Sequence, residues 1–260
     1  MTLNWDALDL SILGPAFAAG LLVLATHVPL GRSVLARGII FIDLAVAQIA
    51  GLGVVLAGAL GWDPHGAPVQ IAAVSAAVCG SIVLHWSEKW FPEIQEALIG
   101  VAFVLAATLG LILLSRNPHG GEHLKELLVG QILWVSWGKL LPVACVYAGV
   151  LALWFRFDVQ RRHRLLFYLL FAFTVTASVQ LVGVYLVFAS FILPAVATRG
   201  LDERRGLFVG YLHGALGYGL GLCGSALFDL PSGAVIVWVL ALLVPLVRRF
   251  AGGRGAGLLR

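Results

Sequence analysis

The sequence predicts an all-α protein, a polytopic membrane bundle of about eight to nine transmembrane helices in a single domain over residues 1–260. Of the 260 residues, 60% are hydrophobic and only 12% are charged, and the mean hydropathy is +0.98. A soluble domain is about half apolar and a quarter charged. The apolar residues fall in spans long enough to cross a bilayer. No polar linker or low-complexity stretch divides the chain, which favours one domain.

The apolar spans follow one another with short polar connections, and each predicts one helix. They lie at roughly 10–30, 38–60, 67–86, 96–115, 137–155, 165–181, 183–198, 207–227 and 233–248.

The basic residues predict the orientation of these helices. If the loop after the first span is cytoplasmic, only Arg116, Lys125 and Lys139 of the 17 basic residues fall outside. The positive-inside rule then places the N-terminus outside and the C-terminus in the cytoplasm. The cytoplasmic set is Arg32, Arg37, Lys89, Arg156, Arg161, Arg162, Arg164, Arg199, Arg204, Arg205, Arg248, Arg249, Arg254 and Arg260.

Residues 165–198 allow two interpretations, one long kinked helix or a tight hairpin with a break near the sequence QLVGVY. A single crossing would carry the basic segment RGLDERRG to the outside, against the charge rule. The hairpin is therefore favoured, with Gly183 at the break. Pro194 can bend the returning helix where neighbouring helices satisfy its backbone.

Composition and motifs exclude several classes of function. The formal net charge of +4 does not indicate nucleic-acid binding, because the charges form short clusters between apolar spans. Cys79, Cys145 and Cys223 lack the spacing of a disulfide framework or a zinc finger. Ser225 and His213 lie about three turns apart on one span, so no Ser–His catalytic pair is indicated. No G-x-x-x-x-G-K-[ST] motif is present, so a nucleotide-driven process would need another chain.

Polar side chains within the spans are costly in lipid and therefore mark structural contacts or a functional path. Asp43 and Gln48 lie in the second span, Gln180 in the sixth and His213 in the eighth. For His213 and Gln180, a hydrogen bond between helices is the structural alternative to lining a path.

The remaining histidines lie near the predicted membrane surfaces. We expect His27 and His85, at cytoplasmic helix ends, to keep their polar tips in water. His65, His119 and His123 lie in predicted outer loops, where they could contact a metal, dock a partner or simply be solvated. Residues 116–134 predict an amphipathic interfacial helix.

Five segments, in order along the chain, resemble the membrane permease subunit of zinc- and manganese-type ABC importers. The V-G-x-x-L/Y-x…P-A-x-x-T/A-R run and D-L-P-S-G-A are the most specific of these similarities. The segments are ARGIIFIDLAVAQIAGLG (36–53), EALIGVAFVLAATLGLILLS (96–115), HLKELLVGQILWVS (123–136), LVGVYLVFASFILPAVATR (181–199) and FDLPSGAVIVW (228–238).

The resemblance implies an all-helical permease of the plasma (inner) membrane that pairs as a homodimer. Its partners would be a cytoplasmic ATPase subunit, which binds the ATP, and an external substrate-binding protein. No cofactor on this chain and no enzymatic activity of its own are expected. The resemblance also implies that the turn after Pro194 contacts the ATPase, although its charges could serve only to set topology. That turn carries Arg199, Asp202, Glu203, Arg204 and Arg205.

The second span departs from the pattern of the family it resembles. The family places an Asp and a His four residues apart on this helix as metal ligands, whereas the matching positions here are Leu44 and Gln48. Asp43 lies one residue too early, about 100° round the helix. An amide is a weaker zinc ligand than an imidazole, so zinc, manganese or another solute remains open.

We therefore expect Gln48, Asp43, His213 and Gln180 to line a path, the first three as candidate metal contacts. Gln48 would lie near mid-bilayer, while Asp43 forms an ion pair with Arg37 or another arginine, or lines a cytoplasmic exit. The primary hypothesis is a divalent-metal permease that works by alternating access. The alternatives are a permease for a metal chelate or small organic solute, and a membrane assembly subunit that does not transport.

Overall fold

The computed structural model describes residues 8–63, 66–115, 121, 125, 128–157, 159 and 163–251. Within these residues the chain forms nine helices of 14 residues or more, and each overlaps one predicted span. They are α1 (Leu10–Arg37), α2 (Ile42–Ala59), α3 (Ala67–Trp90), α4 (Gln95–Leu114), α5 (Trp137–Arg156), α6 (Arg164–Val182), α7 (Val184–Ala197), α8 (Glu203–Phe228) and α9 (Ser232–Ala251).

Eight of these described helices are long and apolar enough to cross a membrane, and the shorter α7 is also apolar. The predicted all-α membrane bundle is confirmed. The orientation of the two termini stays a prediction that rests on the distribution of basic residues.

Local capping fixes where the longest helices begin and end. The Asp9 carboxylate accepts a hydrogen bond from the backbone N–H of Ser11 at 2.8 Å and caps the start of α1. Gly38, at φ 71°, ends the same helix with its N–H bonded to the carbonyls of Val34 and Leu35. Asp202 caps α8 through the N–H of Arg205 at 3.1 Å. These caps extend α1 and α8 beyond the apolar spans.

The predicted hairpin between α6 and α7 is present, with its break at Gly183. This residue has φ 79° and ψ 162°, a conformation that is essentially restricted to glycine. Gly183 lies against Gly130, in the connection between α4 and α5. The other end of α7 lies beside Arg32, near the end of α1. The start of α6 lies at the same end of α1, where Arg37 packs over Phe167. The chain therefore reverses direction at Gly183.

The helices pack in two groups that are joined by α6. One group is α2, α3 and α4, and the other is α1, α7, α8 and α9. Glycines allow close approach in the second group, where Gly214 faces Leu24 of α1 and Gly217 faces Leu240 of α9. Of the candidate spans, α6 is the most buried, and α4 and α9 are the least. The well-packed part of the described chain is thus α6 and α7 with α1 and α2.

Candidate functional site

Gln48 faces a crevice between α2 and α4. The lining side chains are otherwise apolar and mostly small, so the amide is the one polar side chain among the described residues that line it. The crevice is small and partly open to the outside of the chain, with about 20 Å³ of space for the centre of a water-sized sphere. Its lining consists of Ala47, Gln48, Gly51, Leu52, Val55, Ala106, Ala107, Gly110, Leu114, Leu128 and Val184.

Asp43 lies in the first turn of α2 and does not line this crevice. α2 is a regular α-helix from Ile42 to Ala59 without a bulge, so Asp43 and Gln48 point about 140° apart. The Asp43 side chain is 1% exposed. Neither of its carboxylate oxygens has a hydrogen-bond partner among the described residues.

The expected ion pair between Asp43 and Arg37 is not formed. The guanidinium of Arg37 instead lies over the ring of Phe167 on α6, 4.3 Å from its centroid. The reason is that α1 continues as a helix as far as Arg37, which carries the side chain toward α6. The neighbouring carboxylate of Glu96 accepts the backbone N–H of Phe41 at 3.1 Å and holds the link between α1 and α2.

His213 is completely buried on α8 and faces α9. Its Nε2 hydrogen-bonds with the carbonyl of Leu240, and the two atoms are 2.9 Å apart. The ring therefore makes the interhelical contact that was the structural alternative in the sequence analysis. Gln180 is exposed, one turn before Gly183 at the end of α6.

The four candidate path residues do not converge within one copy of the chain. Gln48 faces the α2–α4 crevice, Asp43 is buried at the start of α2, His213 faces α9 and Gln180 is exposed on α6. Across the described part of the chain, no group of three or more His, Cys, Asp or Glu side chains could hold a metal ion.

His27 does not keep its polar tip in water. It is completely buried and stacks on Phe191 of α7, with ring centroids 3.8 Å apart. Because α1 extends almost three turns past His27, to Arg37, the imidazole lies inside the bundle. His85 is partly exposed, and its ring packs beside Tyr168 at 5.5 Å between centroids. The outer-loop candidates His65, His119 and His123, and most of the predicted interfacial helix, lie outside the described residues.

The charged turn, residues 199–205, consists of the connection between α7 and α8 and the first three residues of α8, and it packs against Arg32. Arg199, Asp202, Glu203, Arg204 and Arg205 are all exposed on it. Arg32, on α1, donates hydrogen bonds to the turn and to the residue before it. Sequence reasoning had used Arg32 only as a topology charge, because its acceptors are mainly backbone carbonyls and leave no mark in the sequence.

With this geometry established, comparison with known proteins identifies the family. The model of the ABC 3 transport family matches residues 9–161 and 157–250. The chain belongs to the ABC 3 transport family. It is therefore a multi-pass protein of the plasma membrane and the membrane subunit of an ABC transporter. The predicted family resemblance is confirmed.

Individual relatives extend this comparison. The chain is 28% identical, over 269 residues, to the manganese transport system membrane protein MntC of Halalkalibacterium halodurans, covering 95% of this chain and 90% of that protein. PsaBC from Streptococcus pneumoniae, solved in complex with a Fab, has a TM-score of 0.69 at 24% identity, covering 92% and 90% of the two chains.

A second solved structure shares the fold at lower sequence identity. It is an inward-facing ABC transporter assigned to the metal-chelate type, with a TM-score of 0.65 at 15% identity, covering 93% of this chain and 88% of that one. At this identity the likeness supports the fold alone.

Proposed function

We propose that this chain is the permease subunit of an ATP-driven importer for a divalent metal ion, zinc or manganese. The observation that carries the proposal is the family match over residues 9–250, together with a full-length relative named for manganese transport. ATP would be bound by a separate ATPase subunit, and an external binding protein would deliver the ion.

The proposed path lies between two identical copies of the chain. One copy has no described group of three or more metal-ligating side chains, whereas two copies would present each polar group twice around a shared axis. Gln48 suits such a path because it is the polar side chain of the α2–α4 crevice. Asp43, His213 and Gln180 are secondary candidates. Alternating access would follow from closure of the ATPase subunits.

The charged turn is the proposed contact with the ATPase. Arg199, Asp202, Glu203, Arg204 and Arg205 are exposed together, in the connection that follows the apolar helix α7. Reversing Arg204 and Arg205 to Glu should abolish ATPase binding, because like charges across an interface are costly. The same double reversal at Arg248 and Arg249, exposed in the last turn of α9, is the matched control and should leave binding intact.

A metal-chelate permease is the second candidate, and the chemistry of Gln48 favours it. An amide is a weaker ligand for zinc than an imidazole or a carboxylate. A path lined by amide and apolar groups would therefore pass a chelated ion, which keeps its own ligands, more readily than it would pass a bare ion.

Uptake assays with reconstituted transporter decide between these solutes. The complex in proteoliposomes is offered radioactive zinc, manganese or chelated metal, with wild type compared with Gln48→Leu, Gln48→His and Gln70→Leu. Gln48→Leu should reduce uptake and Gln48→His should favour zinc. Gln70→Leu on α3, which does not line the crevice, should transport like wild type. Wild-type uptake of every solute by Gln48→Leu would remove Gln48 from the path.

A further inference from the structure

Arg32 joins α1 to the end of α7 through a set of hydrogen bonds. Its Nη1 donates to the Thr198 hydroxyl at 2.9 Å and to the Thr198 carbonyl at 3.2 Å. Its Nη2 donates to the carbonyl of Leu201 at 3.1 Å and, more weakly, to that of Asp202 at 3.4 Å. One planar guanidinium thus binds four acceptors in this connection. Two belong to Thr198, the C-cap of α7, where a cation is favoured, and two are the carbonyls of Leu201 and Asp202, just before α8.

A glycine on α8 makes room for this guanidinium. A Cβ added to Gly206 would lie 1.9 Å from Nη1 and 2.3 Å from Cζ of Arg32. No side chain other than hydrogen fits there unless Arg32 moves. The partly buried guanidinium of Arg32, on α1, therefore contacts both the charged turn and Gly206 in the first turn of α8.

α7 is also fixed to α1 further from the turn. A Cβ on Gly31 would lie 2.1 Å from the carbonyl oxygen of Phe191, so the two backbones are in direct contact. The imidazole of His27 stacks on the ring of Phe191. Contacts of this kind are close-packed and transmit displacement, since protein interiors are only slightly compressible.

The end of α1 is in turn tied to the start of α2. Only residues 38–41 separate the two helices, and this link is hydrogen-bonded along its length. Ile39 N–H bonds the carbonyl of Val34 at 3.3 Å, and Ile42 N–H bonds that of Ile39 at 3.2 Å. Phe41 N–H is held by Glu96. α2 carries Gln48 about two turns further on.

We propose that Arg32 is the positioning residue that couples the charged turn to α1 and, through the short link, to α2. A displacement of the turn then moves the helix that carries Gln48 and is not absorbed locally in the turn. The inference rests on the proposed function of the turn as the ATPase contact. It assigns to Arg32 the conversion of ATP hydrolysis into movement of the path, and not ATPase binding itself.

The test distinguishes binding of the ATPase from coupling of ATP hydrolysis to metal uptake. In proteoliposomes that contain permease, ATPase and binding protein, metal uptake and ATP hydrolysis are measured together, and co-purification reports ATPase binding. We expect Arg32→Gln to retain the ATPase but to lower metal uptake per ATP by about tenfold, within the usual range of coupling between sites. Arg32→Lys should not rescue it, because an ammonium cannot reproduce the guanidinium fork. Arg248→Gln, an exposed arginine on α9, is the control and should behave like wild type.

A milder variant covers the case in which Arg32→Gln does not accumulate in the membrane. Thr198→Val keeps the β-branched shape but removes the hydroxyl that accepts from Arg32, so it should lower uptake per ATP by a smaller factor. Arg32→Lys with the wild-type ratio of uptake to hydrolysis would overturn the inference in either case.

The outcomes also distinguish this inference from the proposed function. If Arg204→Glu with Arg205→Glu still binds the ATPase, the proposed contact at the turn is wrong. If that double variant loses the ATPase while the Arg32 variants keep the wild-type ratio, the contact is supported and only the role of Arg32 is refuted.

Discussion

Substituting Gly183 with Ala should destabilise the protein strongly, because the break between α6 and α7 combines backbone strain with a clash. The φ of 79° and ψ of 162° would cost a residue with a side chain about 1–3 kcal/mol. The added Cβ would lie 2.3 Å from the nitrogen and 2.6 Å from the Cα of Gly130. Backbone atoms cannot rotate away, so overpacking adds about 1–3 kcal/mol. The expected loss is about 2–6 kcal/mol.

Two other glycines separate these contributions. Gly200 has φ 89° but nothing within 4 Å of an added Cβ, so Gly200→Ala should cost only the strain, about 1–2 kcal/mol. Gly100 lies within α4 with open space around it, and Gly100→Ala should raise stability by up to about 1 kcal/mol through helix propensity.

Thermal unfolding of the purified protein in detergent, followed by tryptophan fluorescence, measures the series. The melting temperatures should rank Gly100→Ala, wild type, Gly200→Ala and Gly183→Ala from highest to lowest. Equal shifts for Gly183→Ala and Gly200→Ala would show that Gly130 does not press on the break. Gly130→Ala provides the reciprocal check, since its Cβ would lie 2.2 Å from the carbonyl carbon of Val182.

Three further predictions concern orientation, a buried carboxylate and a buried hydroxyl. A reporter fused after Arg260 should be cytoplasmic and one inserted near Gly120 periplasmic; the same side for both would contradict the orientation. Asp43→Asn should leave the melting temperature unchanged or raise it. The carboxylate has no hydrogen-bond partner among the described residues, and a neutral amide costs less to bury than a charged carboxylate. A fall of several degrees would reveal a stabilising contact. Tyr218→Phe should cost about 1 kcal/mol of unfolding free energy, because it removes the 2.8 Å hydrogen bond between Tyr218 and Ser190. Ser190 still donates to the carbonyl of Leu186. An unchanged denaturation midpoint would contradict this expectation.

Hydropathy was sufficient to predict the helices because lipid imposes long apolar spans. It could not predict their ends, which depend on caps. α1 continues to Arg37, beyond its predicted end at residue 30, because Gly38 rather than the loss of apolar character terminates it. α8 begins at Glu203 rather than residue 207 because Asp202 caps it.

The contacts of the polar residues could be predicted only in part. A hydrogen bond between His213 and another helix was one of the two alternatives. Its acceptor could not be predicted from the sequence, because it is a backbone carbonyl, and residues of every type have one. The acceptors of Arg32 could not be predicted either, because they are mainly backbone carbonyls and lie 166 to 170 residues further along the chain. The ion pair expected for Asp43 failed because charge and proximity in sequence do not determine where the Arg37 side chain packs.

The length of α7 has a consequence for the distance that a solute must travel. Its 14 residues give a helix about 21 Å long, against a hydrocarbon layer of about 30 Å. If α7 runs along the membrane normal with its far end at one edge of that layer, the contact between Gly183 and Gly130 lies about 9 Å inside the opposite edge. Irregular backbone at such depth is tolerated only where protein covers it, as these two glycines cover each other. In that orientation, a solute that reaches this point from the opposite side would have about two thirds of the hydrocarbon layer left to cross.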